Sequence, residues 1–212
     1  MKNLLKIQAF ALLLFVSSQL SAQTYMIKGG LNLSEFRISD RIESYGNLKL
    51  NPGFHIGGSV IFPIHKAFSL DLGLQFTTKG VREEFNDEFE GIFTSGKLSA
   101  TLYYIEVPVK FRLTHNFDQI AVYGAFGPYV GLGLAGRMKS EFTFMGETTS
   151  NINKIDFGKD DLNRLDGGLV FEAGIEYQRF LVGLSYTMGL IDVSNEITNQ
   201  VYSFSIGYKL GS

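Results

Sequence analysis

Several segments of the chain alternate strongly apolar residues with polar ones, and eight charged residues occupy polar positions in these segments. Four are cations and four are carboxylates, so they can neutralise one another. Removing a charge from water is costly unless the charge is paired, whereas a complementary network of charges is tolerated. The chemistry that these residues predict is therefore ion pairing inside the fold. The eight residues are Lys28, Asp71, Glu106, Lys110, Arg112, Glu172, Glu176 and Lys209.

Residues that carry catalytic or metal chemistry are few and scattered. The three histidines, His55, His65 and His115, are far apart in sequence, and we find no matched nucleophile, base and orienting acid. The 24 glycines include no phosphate-binding loop that leads from a strand into a helix. We therefore expect a protein that is not an enzyme and that holds no cofactor or metal.

Two acidic runs offer oxygen ligands of the kind that Ca²⁺ prefers. Runs of this kind are more often solvated loops, and that is the interpretation we favour. The first run contains Glu83, Glu84, Asp87, Glu88 and Glu90, and the second contains Asp156, Asp160 and Asp161.

The start of the chain has the features of a secretion signal. Lys2 and Lys6 precede an apolar run over residues 7–16, and small residues follow up to Ala22. The run is shorter than the roughly 20 residues that a helix needs to span a bilayer, which disfavours a membrane anchor. We therefore expect a signal peptide at residues 1–22 and one domain at residues 23–212. The sequence has no Cys, and its 19 Lys and Arg against 21 Asp and Glu give no indication of nucleic acid binding.

Apolar and polar residues alternate along the rest of the chain, which is typical of β-strands with two different faces. The alternation predicts eight strands, an even number, as a closed up-and-down barrel of the outer-membrane class requires. Three short connections alternate with four long polar ones, which predicts periplasmic turns and extracellular loops. The predicted strands are 24–36, 51–63, 67–84, 98–114, 119–143, 166–178, 180–190 and 199–210. The predicted long loops are 37–50, 85–97, 144–165 and 191–198.

The direction in which the apolar faces point distinguishes two kinds of barrel. An eight-stranded interior is just wide enough to be filled by side chains or to hold one small ligand. Faces rich in Leu, Phe and Tyr would crowd it, whereas the small and charged residues of the other faces fit. We therefore predict an all-β, eight-stranded antiparallel up-and-down transmembrane barrel, and a soluble lipocalin-like lipid binder of the opposite facing is the alternative. One strand shows the pattern, with Phe68, Leu70, Leu72, Leu74 and Phe76 opposite Ser69, Asp71, Gly73, Gln75 and Thr77.

The eight charged residues face the lumen of this predicted barrel. A filled lumen is favoured over an open one, because aqueous channels belong to much wider barrels. A narrow transport role is the alternative, and it predicts a conductance that is lost when Lys110 or Glu172 is changed.

Pro108 lies inside a predicted strand, although proline cannot donate to a strand ladder. A closed barrel has no free edge on which to place it. We therefore predict a strand bulge at Pro108.

Three segments carry a family resemblance: residues 27–34 (IKGGLNLS), 104–110 (YIEVPVK) and 124–132 (GAFGPYVGL). They are similar to recurrent segments of the PorT-like outer-membrane β-barrel family, and the similarity covers essentially the whole mature chain. The resemblance implies an exported barrel in the outer membrane of a Gram-negative envelope. It also implies kinship with a component linked to type IX protein secretion, although the family name does not give every member that role.

The expected partners follow from this location. They are outer-membrane lipid, the barrel-insertion machinery and a protein partner at the extracellular loops, of which the 144–165 loop places apolar residues among polar ones. We therefore expect an integral outer-membrane protein whose loops serve interaction or envelope structure.

Overall fold

One antiparallel β-sheet accounts for nearly all of the described chain. The computed structural model describes residues 23–38, 48–89, 92–144, 147–158, 162–194 and 197–210, so the predicted signal peptide lies outside the described residues. The strands are β1 (Thr24–Ile38), β2 (Leu48–Lys49), β3 (Asn51–Pro63), β4 (Phe68–Phe89), β5 (Ile92–Phe117), β6 (Ile120–Phe144), β7 (Glu147–Ile155), β8 (Leu165–Tyr177), β9 (Phe180–Gly189) and β10 (Ile197–Leu210). In these ranges we find no helix of the length and apolar character needed to cross a membrane.

Eight of the described strands close into a ring. The order around it is β4, β3, β1, β10, β9, β8, β6 and β5, and β5 then pairs with β4. The first and last of these strands in sequence, β1 and β10, are antiparallel neighbours, paired from Tyr25 with Leu210 to Ile38 with Ile197. The predicted antiparallel barrel is therefore confirmed, with β2 and β7 attached to it outside the ring.

The outer surface of the ring is apolar and its inner surface is polar. Leu31 and Leu184 are 67% and 65% exposed, whereas Asp71 and Lys110 are almost fully buried. Along β5, outward-facing apolar residues run from Tyr103 to Leu113, which is about 33 Å of strand. With the strand tilt of membrane barrels, this length matches an apolar band about 25 Å tall. The alternative of a soluble lipid binder, which requires the apolar faces to point inward, is therefore wrong.

Three strands are much longer than a membrane crossing needs. β4, β5 and β6 have 22, 26 and 25 residues, whereas about 9–11 residues cross a bilayer. The predicted 85–97 loop is therefore largely strand, and the predicted 144–165 loop contains β7, which pairs with β6. Sequence reasoning missed these strands because apolar and polar residues alternate less regularly in them than in the membrane-spanning segments. We call residues 48–49, 80–89, 92–102, 136–144 and 147–155 the extracellular sheet.

Candidate functional site: the barrel lumen

Buried ion pairs cross the middle of the lumen. Glu172 of β8 accepts hydrogen bonds from the Nζ atoms of Lys110, at 2.6 Å, and Lys28, at 3.0 Å. Asp71 Oδ2 of β4 lies 3.1 Å from Lys110 Nζ. These four residues, the central network, join β1, β4, β5 and β8 across the ring, and the Glu172 side chain is only 2% exposed. The charge of Glu172 is thus neutralised by two lysines in a place that bulk water does not reach.

A second group, the lower network, lies nearer the periplasmic turns. Glu176 of β8 pairs with Arg112 of β5 and accepts a hydrogen bond from Lys209 Nζ of β10 at 2.5 Å. The Arg112 guanidinium lies 3.6 Å from the centroid of the Tyr123 ring. The Tyr123 hydroxyl donates to Glu172 at 2.9 Å, so this tyrosine connects the lower network to the central one.

A third group, the upper network, lies nearer the extracellular end. Lys79 Nζ is 2.6 Å from Glu106 Oε1 and 2.8 Å from Asp166 Oδ2. Asp166 also accepts hydrogen bonds from the Tyr129 hydroxyl and from Asn199 Nδ2, at 3.2 Å and 3.1 Å. Sequence reasoning missed Lys79 and Asp166, although the signal was present. Lys79 has the same parity in β4 as Asp71, and Asp166 has the same parity in β8 as Glu172.

The three networks together fill the lumen and balance its charge. The structure places all eight predicted charged residues inside the ring and brings each into an ion pair. With Lys79 and Asp166 added, the networks contain five cations and five carboxylates. The cavity left beside them, lined in part by Lys28 and Glu106, has a volume of about 20 Å³. A cavity of this size has room for about one water molecule.

Apolar side chains cover the lumen above the upper network. Phe157, which follows β7, packs edge-on against Tyr104 of β5, with ring centroids 5.6 Å apart. Ile155, Leu102 and Val193 complete this cluster, and all five residues are buried. We call them the apolar cap. Because β7 and the segment after β9 contribute to it, parts of two predicted loops close the extracellular mouth of the barrel.

A serine, a histidine and an asparagine lie in a hydrogen-bonded row on the lumen wall. Ser205 Oγ is 2.9 Å from His55 Nε2, and His55 Nδ1 is 2.7 Å from Asn32 Oδ1. This is the order of groups that activates a serine nucleophile. Ser205 is only 2% exposed, however, and the adjoining cavity of about 20 Å³ leaves no room for an acyl substrate. We therefore interpret the row as polar packing between β1, β3 and β10.

The chain around Pro108 differs from the prediction. The register of β5 with β4 is the same on both sides of Pro108, and so is its register with β6. Gly73 lies beside the proline ring, and a Cβ there would stand 2.9 Å from Pro108 Cγ. The predicted bulge is therefore wrong at this position, because an opposing glycine accommodates the ring and only the ladder is interrupted. The register shift lies between Tyr103 and Tyr104 instead.

No metal site forms among the residues that the structure describes. His55 lies in the lumen, whereas His65 and His115 lie near the periplasmic end. Glu83 and Glu84 belong to the extracellular sheet, and Asp156 follows β7. The other residues of the two acidic runs, Asp87, Glu88, Glu90, Asp160 and Asp161, have side chains outside the described part of the chain.

Comparisons with known proteins agree with this architecture. Residues 18–195 match the model of the family described as outer membrane protein beta-barrel domain. No curated protein shows significant sequence similarity to the chain.

Several solved structures are similar to this chain. Ail of Yersinia pestis, in complex with the heparin analogue sucrose octasulfate, is 15% identical, with 89% of this chain and 99% of that chain covered and a TM-score of 0.39. Neisserial surface protein A is 13% identical, with coverages of 88% and 96% and a TM-score of 0.42. OprG of Pseudomonas aeruginosa is 11% identical, with coverages of 90% and 97% and a TM-score of 0.38.

The family match spans most of the chain, and the closed ring carries its apolar residues on the outside and its charges within. The protein therefore resides in the outer membrane and belongs to the outer membrane protein beta-barrel domain family.

Proposed function

We propose that this protein is a non-enzymatic, non-conducting outer-membrane barrel that acts through its extracellular sheet, in interaction or in envelope structure. The observation that carries the proposal is the filled lumen. Ten charged side chains pair across it, the apolar cap covers it, and the cavity beside the networks measures about 20 Å³. Such an interior favours a role in stabilising the barrel over a role as a path for solutes.

The extracellular sheet offers a surface on which a partner can bind. Its inner face, continuous with the lumen wall, exposes Leu98, Met138 and Phe142 by 39%, 37% and 47%. In the ladders, Gly96 is opposite Phe142 and Ala100 is opposite Met138, so these side chains form one apolar strip across β5 and β6. Exposed apolar strips rimmed by polar residues are typical of protein interaction sites.

The edge of the extracellular sheet is also open. Among the described strands, β7 pairs with β6 alone, so its other edge presents unpaired backbone N–H and C=O groups. An extended segment of a partner can add to such an edge through main-chain hydrogen bonds, while adjacent side chains give specificity. The edge and the apolar strip together favour a protein partner.

Site-specific photo-crosslinking on cells of the native host tests this proposal. A photoreactive residue at Leu98 or Phe142 reports on the inner face, and one at Ser99 is the matched control on the outer face at the same height. We expect a specific cross-linked protein from the two inner-face positions and none from Ser99. No product from either inner-face position, or the same product from Ser99, contradicts the proposal.

The resemblance to the PorT-like family supports a narrower version of the proposal, in which the partner is a component of type IX secretion. Mass spectrometry of the cross-linked product distinguishes the two versions. A secretion component in the product supports the narrower one, and an unrelated envelope protein leaves only the general interaction role.

A further inference from the structure

The two faces of the extracellular sheet differ in charge. The inner face is largely apolar, whereas the outer face, which continues the lipid-facing wall, carries two carboxylates and six cations among the residues whose side chains the structure describes. An excess of cations on one surface attracts anionic groups. The six cations are Lys49, Arg82, Lys97, Arg137, Lys139 and Lys154.

The two carboxylates neutralise the part of this face that lies farther from the membrane. Lys49 Nζ is 2.6 Å from Glu84, which also pairs with Arg82, and Lys139 Nζ is 2.5 Å from Glu141. The hydrogen bonds from Lys49 and Arg82 lower the pKa of Glu84, and the one from Lys139 lowers the pKa of Glu141. Both carboxylates are therefore ionised and engaged at neutral pH.

The cations nearest the membrane differ from these pairs within the part of the chain that the structure describes. Arg137 and Lys154 stand directly opposite each other in the β6–β7 ladder, and both are exposed. Neither forms an ion pair with a carboxylate in the described part of the chain. Like charges placed directly opposite in a ladder destabilise the strand pair. An anion held between the two side chains removes this repulsion.

The height of this pair identifies the anion. Arg137 follows Leu134, the last large lipid-facing apolar residue of β6, by three residues, and it is opposite Thr101, two residues from Tyr103. This is about 10 Å of strand beyond the apolar band, and less in height because the strands tilt. The layer at that height is the headgroup region of the bilayer.

We propose that Arg137 and Lys154 form a binding site for the phosphate groups of anionic lipid in the outer leaflet. A guanidinium binds phosphate through two parallel hydrogen bonds, and a lysine beside it adds a second charge. The site faces the lipid and continues the apolar wall, so the phosphate that reaches it belongs to a lipid whose acyl chains cover that wall. The proposal is independent of the partner proposed for the inner face of the sheet.

Retention of lipid A, a phosphorylated glycolipid, by the full chain in zwitterionic detergent micelles tests the site. Native mass spectrometry counts the lipid A molecules bound as their concentration is raised. R137Q/K154Q should bind lipid A roughly thirtyfold more weakly than the unmodified chain, because each of the two basic residues near an anionic surface strengthens binding about fivefold. The matched control is K66Q/R179Q, which removes two cations from the periplasmic turns and should leave retention unchanged.

Two further conditions make the outcome decisive. Each variant is first checked for the heat-dependent shift of a folded barrel on SDS gels, so that lost binding is not lost folding, and R137K/K154R provides a folded variant that keeps both charges. Inorganic pyrophosphate is then added as a soluble competitor, and we expect it not to displace lipid A. Equal retention by R137Q/K154Q and the unmodified chain overturns the proposal, and so does displacement by pyrophosphate at concentrations equal to that of lipid A.

Discussion

Replacing Glu172 with Gln should destabilise the barrel strongly, because this carboxylate is the centre of the lumen networks. It accepts hydrogen bonds from Lys110 at 2.6 Å, Lys28 at 3.0 Å and the Tyr123 hydroxyl at 2.9 Å. The amide of Gln keeps the shape but removes the charge. The remaining carboxylate of the central network, Asp71, lies 3.1 Å from Lys110 Nζ and pairs with that lysine.

The magnitude follows from the cost of an unpaired buried charge. Breaking a buried ion pair by changing one partner costs about 3–5 kcal/mol, because the other charge is left uncompensated. Lys110 retains Asp71, whereas Lys28 loses its only ion-pair partner among the described residues. We therefore expect E172Q to lower the free energy of unfolding by about 3 kcal/mol, near the lower end of that range.

The same argument predicts a partial rescue. K28M in the E172Q background removes the lysine that has lost its partner and leaves the Lys110 and Asp71 pair in place. The double variant should therefore recover about half of the lost stability. Coupling of this kind is expected for residues in one charge network.

Urea unfolding of the full chain refolded into lipid vesicles measures these differences. The sequence has no Trp, so the folded fraction is followed as the heat-shifted band on SDS gels. E84Q is the matched control, since it breaks an ion pair whose lysine side chain is 54% exposed, and it should unfold at the same urea concentration as the unmodified chain. An E172Q midpoint equal to that of E84Q would refute the argument, and a double variant less stable than E172Q would refute the assignment to Lys28.

Three further predictions concern the cap, the proline and the serine. F157A removes a buried ring from the apolar cap and should lower the free energy of unfolding by about 3–5 kcal/mol in the same urea assay; an unchanged midpoint would contradict the burial of this ring in the cap. P108A should keep the heat-shifted band with a loss below about 1.5 kcal/mol, because the register on both sides is regular and Gly73 leaves space; loss of the band contradicts this. A fluorophosphonate probe should not label Ser205 in the folded protein, because the residue is 2% exposed; labelling that S205A abolishes would make the protein a candidate hydrolase.

The strands of the ring could be predicted from the sequence because they depend on local alternation, and the facing followed from the narrow interior of an eight-stranded barrel. The predicted bounds of the strand at residues 51–63 are those of β3, and parity together with interior width placed Asp71 and Lys110 inside the barrel. Alternation fails where both faces of a strand meet water. The polar segment ETTSNINKI of β7 was therefore predicted as a loop, and β4 was predicted to end at residue 84 rather than at Phe89.

The pairing of the charged residues could not be predicted, because parity gives the side of a strand but not its height. Glu172 and Lys28 are 144 residues apart in sequence and meet only when the ring closes. The same limit applies to Ser205 and His55, which are separated by 150 residues. Pro108 shows a different limit. The absence of a bulge there depends on Gly73 of β4, and the sequence alone does not give the register that places Gly73 beside the proline ring.

Planar-bilayer recording of the refolded full chain tests the filled lumen most directly. Folding of the barrel is verified beforehand by the heat shift of the same sample, so that silence cannot be ascribed to unfolded protein. The pairing of ten charges and the cavity of about 20 Å³ predict no current steps beyond those of the bilayer alone. Reproducible steps whose ion selectivity changes in K110Q would contradict a filled lumen and make the protein a narrow channel.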